Sequence, residues 1–182
     1  MKNYLFFFFS FIIIKFSFSQ NENWQLFSNE NIQYIEINKS GDYKIAELTF
    51  KVIWDNKLSH SKNIGYYGGI KTLKVCKNGK EIQTFDNIED YVALGSINFN
   101  FYDYNLDGFI DFSIPIDCGK ICWKKYYLFN PELNKFEHIN DWDYLRIQKI
   151  EKKNKLIMTE PDGMIDNRKT YKIKQNQLIE IK

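Results

Sequence analysis

The residues whose types and spacing most plainly suggest chemistry lie in one short stretch. Asp103-Tyr104-Asn105-Leu106-Asp107-Gly108-Phe109-Ile110-Asp111 reads D-x-N-x-D-G-x-x-D. Calcium is a hard cation that gathers oxygen ligands at about 2.3–2.6 Å. Alternate side-chain oxygens converge when such a segment coils tightly, and a glycine after the third of them permits the sharp turn. The pattern predicts Ca2+ held by Asp103, Asn105, Asp107, the carbonyl of Phe109 and Asp111. Three acids so close together would repel one another without a cation. The loop is not a complete EF-hand, because Ile114 stands where a bidentate acid would close the site, and its flanks read as strands. The competing reading is an Asx-rich turn that holds no metal, since Asp, Asn and Gly are ordinary turn residues.

Other reactive residues are few. His60, in Ser59-His60-Ser61, and His138, near a strand end, fall in no triad pattern, and no Gly-x-Ser-x-Gly occurs. The tight acid cluster is assigned to calcium, which leaves no second pair of carboxylates for glycoside cleavage. The expectation is therefore a protein that is not an enzyme, with an uncharacterised hydrolase as one alternative. Gly65-Tyr66-Tyr67-Gly68-Gly69 matches neither a dinucleotide nor a phosphate loop; it reads as a structural turn, with an aromatic contact loop as the sharper reading. Three cysteines and two distant histidines do not supply a tetrahedral zinc set. Cys118 and Cys122 are the first disulfide candidate, and a bridge from Cys76 to one of them is the other.

The start of the chain sets the compartment. Lys2 precedes an apolar run from Tyr4 to Ile14, which Lys15 ends. That is shorter than the roughly 20 residues a spanning helix needs. Ser17-Phe18-Ser19 offers small residues before Gln20, so 1–19 reads as a signal peptide and 20–182 as a single β domain; an uncleaved anchor is the alternative. The protein is expected to be exported, periplasmic or secreted, with no membrane span after cleavage, and exported cysteines can pair. Of 25 basic side chains, Lys2 and Lys15 leave with the leader, so 23 face 23 acidic ones. A neutral chain is not built for polyanions, and no nucleic-acid partner is expected. Oligomeric state is not readable from the sequence.

Period-two alternation dominates the rest. Leu48, Phe50, Val52 and Trp54, then Ile97, Phe99 and Phe101, then Phe112, Ile114 and Ile116, each alternate with other residues and predict half-buried strands. Tyr126-Tyr127-Leu128-Phe129 is continuously apolar and predicts a central strand covered on both faces. Asn78-Gly79 marks a tight hairpin. Lys153-Asn154-Lys155 and Gln175-Asn176 mark two further turns. Asp86-Asn87-Ile88-Glu89 offers a capping box, and Ile88, Tyr91, Val92 and Leu94 recur at helical spacing before Gly95. The expected fold is all-β, mainly an antiparallel sandwich-like domain, with one short helix and a strand-flanked calcium loop; Asn140 to Leu145 reads as a further helical turn.

The stretch Phe99 to Phe112 resembles the calcium loop of FG-GAP (integrin α-type) repeats. Carried through Tyr126-Tyr127-Leu128-Phe129-Asn130-Pro131 and Lys135-Phe136, the chain is more similar to a family of single-domain bacterial envelope proteins. That family includes a calcium-binding periplasmic immunity protein with a fold like the invertebrate-type lysozyme inhibitors. The resemblance covers roughly Ile97 to Lys182, and the calcium loop is its one specific motif. It implies a non-catalytic inhibitor or immunity protein whose partner is a cell-wall (peptidoglycan) hydrolase. Inhibitors of that fold use a Ser-Gly-x-Tyr segment; Ser40-Gly41-Asp42-Tyr43 has the spacing but lies too early, and Glu160-Pro161-Asp162-Gly163-Met164 lacks it. The resemblance therefore assigns no inhibitory residue. The other alternative is a surface adhesion or glycan-binding β module, for which aromatic side chains would serve.

Overall fold

Antiparallel β-ladders are the dominant backbone arrangement of the described residues. The computed structural model describes residues 23–28, 32–86, 88, 95–118, 122–161 and 166–181. In chain order the strands are β1 (Gln25–Leu26), β2 (Gln33–Ile37), β3 (Gly41–Ile45), β4 (Leu48–Asp55), β5 (His60–Ser61), β6 (Gly65–Tyr66), β7 (Gly69–Lys77), β8 (Lys80–Asp86), β9 (Ile97–Tyr102), β10 (Asp111–Cys118), β11 (Cys122–Asn130) and β12 (Lys135–His138). A 3-10 turn at Asn140–Trp142 precedes β13 (Ile147–Glu151), β14 (Leu156–Thr159), β15 (Thr170–Lys174) and β16 (Gln177–Ile181). All pairings are antiparallel, as the all-β expectation requires. No α-helix occurs among the described residues, and none is long and apolar enough to cross a membrane. The leader at 1–19 and most of the helix expected after Asp86 lie outside the described residues; Ile88 is buried.

The strands form three layers. A middle sheet has the order β12-β11-β10-β9-β2. One of its faces packs on the sheet β3-β4-β7-β8, and Phe50, Val52, Leu73 and Val75 meet Phe99, Phe101, Phe112, Ile114 and Phe129 there. The other face packs on β1-β13-β14-β15-β16, where Tyr126 and Leu128 meet Ile150, Ile157 and Ile173. Because successive side chains of a strand point to opposite faces, β11 sends Tyr127 and Phe129 into the first core and Tyr126 and Leu128 into the second. The continuous apolar run is thus a strand covered on both sides. Gln83 on β8 adds a link between layers: its Nε2 donates to the Phe136 carbonyl (2.9 Å), and the Phe136 N–H donates to its Oε1 (2.7 Å).

Two hairpin turns follow from their residues. Lys77 pairs with Lys80 around Asn78 (φ 51°) and Gly79 (φ 80°), and Lys174 pairs with Gln177 around Gln175 (φ 49°) and Asn176 (φ 65°). Positive φ at both central residues gives the backbone twist that tight hairpins need. The Gly65–Gly69 stretch supplies β6, which pairs with β5 (His60 with Tyr66, Ser61 with Gly65), and leads into β7. A Cβ added at Gly68 would stand 2.6 Å from the Trp54 indole nitrogen, so glycine is required there by close approach as well as by its φ of 82°.

Candidate metal centre

The acidic bend joins β9 to β10, and its ends are held together because Tyr102 pairs with Asp111 in the ladder. The intervening x positions pull it inward. Tyr104 is buried and shares a hydrogen bond of 2.9 Å with Ser113, and its ring meets Tyr126 edge-on at 4.9 Å. Leu106, at φ 58°, is also buried in the second core. Asn105 is almost fully buried as a result. The motif by itself says nothing of this; the signal was the apolar character of its spacer residues.

The structure brings Asp103, Asn105, Asp107 and Asp111 into one loop and turns their oxygens onto N–H donors. Asp103 accepts the N–H groups of Asp107 and Gly108, both at 2.9 Å. Asp107 accepts the Phe109 N–H at 2.9 Å and the Asn105 amide at 2.8 Å. Asn105 Oδ1 accepts the Asp107 N–H at 3.2 Å, while its Nδ2 also donates to Asn176 Oδ1 at 2.7 Å. Asp111 is fully buried and clamps three segments: Oδ2 accepts from Tyr104 (2.8 Å) and Asn105 (3.4 Å), and Oδ1 accepts from Phe129 on β11 (2.8 Å). The Phe109 ring rests 5.7 Å from that of Phe129.

Electrostatically the loop is under strain. Burial pushes the Asp111 carboxyl well above the usual carboxylate range; N–H bonds from Phe129 and Asn105 oppose the shift, and the charges of Asp107 and Asp103 add to it. Burial also raises Asp103, against the N–H groups of Gly108 and Asp107. No Lys, Arg or His forms an ion pair with these acids among the described residues.

The donor set suits calcium by kind: hard oxygens only, with three acids and no cationic partner among the described residues. By placement it is a self-closed loop, and no group of three or more His, Cys, Asp or Glu side chains that could hold a metal occurs among the described residues. Half a turn of the Asn105 amide about its last bond would exchange its nitrogen for its oxygen opposite Asp107, which is the rearrangement a cation there would require. Asn176 was missed from the sequence, because a tight-turn residue 71 positions away gives no sign that it will reach this loop.

Beside the bend lies a recess of about 370 Å³, lined by Leu48, Lys77, Phe109, Ile110 and Phe129. Lys77 stands 4.7 Å over the Phe129 ring and pairs with Glu47 at 2.9 Å.

The remaining candidates are placed elsewhere. His138 Nε2 lies 2.8 Å from Asp143 Oδ2, and His60 stacks edge-on against Tyr66 at 4.8 Å. No hydroxyl or thiol is hydrogen-bonded to either ring among the described residues. Cys118 and Cys122 face each other in the β10–β11 register, Cys122 is disulfide-bonded, and Cys76 is free and buried. Compared with protein-family models, with curated proteins and with solved structures, the chain has no match in any of the three.

Proposed function

We propose that this chain is an exported, non-catalytic β module that holds a calcium ion at 103–111 and binds a peptidoglycan hydrolase as an inhibitor or immunity protein. The observation that carries the metal is a partly buried acidic bend with no cationic side chain paired to it among the described residues. A cation would supply that charge and brace the angle at which β9 passes into β10. Asp103, Asn105, Asp107, the Phe109 carbonyl and Asp111 would hold it. Support for the partner class is the likeness to bacterial envelope immunity proteins, and support for export is the apolar run that ends at Lys15.

Two measurements test this. A ligand bound only by the folded state raises the melting temperature. Calcium is expected to raise it in the native chain and not in Asp107→Ala, and an equal response in both would remove the loop from the proposal. The purified chain should also retain a lysozyme-like or toxin-like hydrolase in a pull-down and depress its activity; retention of none across a panel would remove the partner.

The metal response should fade as pH falls. Asp103 and Asp111 have raised values in the folded state, so without metal their ionisation costs stability as pH rises through those values and the cost is absent below the unfolded value. Calcium binds the ionised forms and protons displace it. The gain in melting temperature from calcium is thus expected to shrink progressively as pH is lowered toward the ordinary carboxylate range. A pH-independent gain would place the ion elsewhere.

A further inference from the structure

We infer that a cleft between the start of β11 and the connecting end of the β14–β15 pair is a subsite for one uncharged pyranose ring. The cleft has a volume of about 200 Å³ and shares no residue with the acidic bend. That is below the ~300–1,000 Å³ of pockets for drug-sized ligands, so it suits one ring of a longer chain. Its walls are aromatic. Trp123 and Tyr144 lie 6.1 Å apart with their planes at 63°, which forms a corner, and Tyr171 lines the same cleft. The C–H faces of a sugar ring stack on such side chains, which combine an apolar face with a polar edge.

The polar groups of the cleft are planar and charge-balanced. Arg146 stands 5.7 Å over the Trp123 ring and is ion-paired with Glu160. Asn167 contributes a neutral amide to the lining. Lys169, the other cation of the lining, is paired with Glu180 at 3.2 Å. Among the described residues that line it the cations are matched, so these offer an anion no excess charge. Forked guanidinium, carboxylate and amide groups do match adjacent hydroxyls, which can both donate and accept.

The backbone adds an independent sign. Tyr144 has φ 64° and is 58% exposed, so a bulky side chain is held in a disfavoured conformation with little burial to compensate. Its N–H donates to the Lys124 carbonyl at 3.0 Å, which ties the backbone at this point to β11 beside the cleft. Residues held in sparsely populated backbone regions cluster at active sites, ligand clamps and switch segments.

The test is an NMR titration of the 15N-labelled full chain with chitotriose and, separately, cellotriose, which distinguish N-acetylated from plain sugars. The Trp123 indole N–H is assigned by its loss in Trp123→Phe. Either trisaccharide should move that resonance, saturating in about the millimolar range. Tyr144→Gly should weaken the response by about tenfold or more while the melting temperature stays the same or rises, because glycine accepts the positive φ. No movement with either sugar, or a response that survives Tyr144→Gly, would overturn the proposal.

Discussion

Asp111→Ala is expected to lower the unfolding free energy by about 3–5 kcal/mol. The native carboxylate accepts from Tyr104, Asn105 and Phe129. Alanine leaves those N–H groups without an acceptor in a region closed to water, and each such buried donor costs about 1–3 kcal/mol. The loss of a buried charge offsets part of this, which is why the expected figure lies below the upper sum. Asp111→Asn keeps one accepting oxygen and relieves the repulsion from Asp103 and Asp107, so its cost should be clearly smaller. Urea denaturation of the three proteins without metal measures the series. A change below about 0.5 kcal/mol, the range of an ordinary surface substitution, would mean that Asp111 does not clamp the bend, β10 and β11 together.

Phe112→Ala should cost a similar amount, about 3–5 kcal/mol, by a different route. The ring is fully buried on the middle sheet. It stacks on Tyr127 at 4.7 Å and meets Phe136 at 4.8 Å and Phe50 at 5.7 Å. Truncation removes apolar burial and leaves a cavity that rings from two sheets cannot readily fill. Phe112→Leu should recover most of the loss, since it restores volume without the stacking geometry. If alanine and leucine were equally damaging, ring stacking rather than filled space would be the dominant contribution. Salt and calcium should leave the Phe112 series unchanged, whereas calcium should alter the Asp111 series.

Strands that bury one face were legible. The alternation of Leu48, Phe50 and Val52 reports directly which residues enter the first core, and Asn78-Gly79 reports its turn. The unbroken Tyr126–Phe129 run was legible too, because a strand needs apolar residues at every position only when both faces are covered. What covers its second face was not. The outer hairpins β13–β14 and β15–β16 are short and rich in Lys, and their pairing with one another does not tell which side of the middle sheet they cap. β3, with Asp42 and Lys44 alternating against Tyr43 and Ile45, is an edge strand whose apolar content is too slight to announce it. β5 and β6 are too short for any periodic signal.

In the acidic bend, spacing identified the loop and its position between two strands. It did not identify the direction of each oxygen. Asp and Asn accept from backbone N–H groups as readily as they ligate a cation, so the same residues in the same order suit a self-bonded turn and a metal cage. The deciding groups here, the N–H of Phe129 and the amide of Asn176, come from segments remote in the chain. The strained Tyr144 was illegible for a related reason: a positive φ at tyrosine follows from how the chain enters β13, not from the tyrosine itself.

The middle sheet has a consequence for how the molecule comes apart. Its five strands are drawn from two separate stretches of the chain, β2 near the start of the described residues and β9 to β12 from their middle, and each outer sheet rests on it. Neither outer sheet can dissociate without exposing apolar surface on the shared layer, so melting should be all-or-none, with calorimetric and van't Hoff enthalpies in agreement. A cut anywhere between β2 and β9 would strand an edge of that layer, and the two fragments would recover structure only on being mixed.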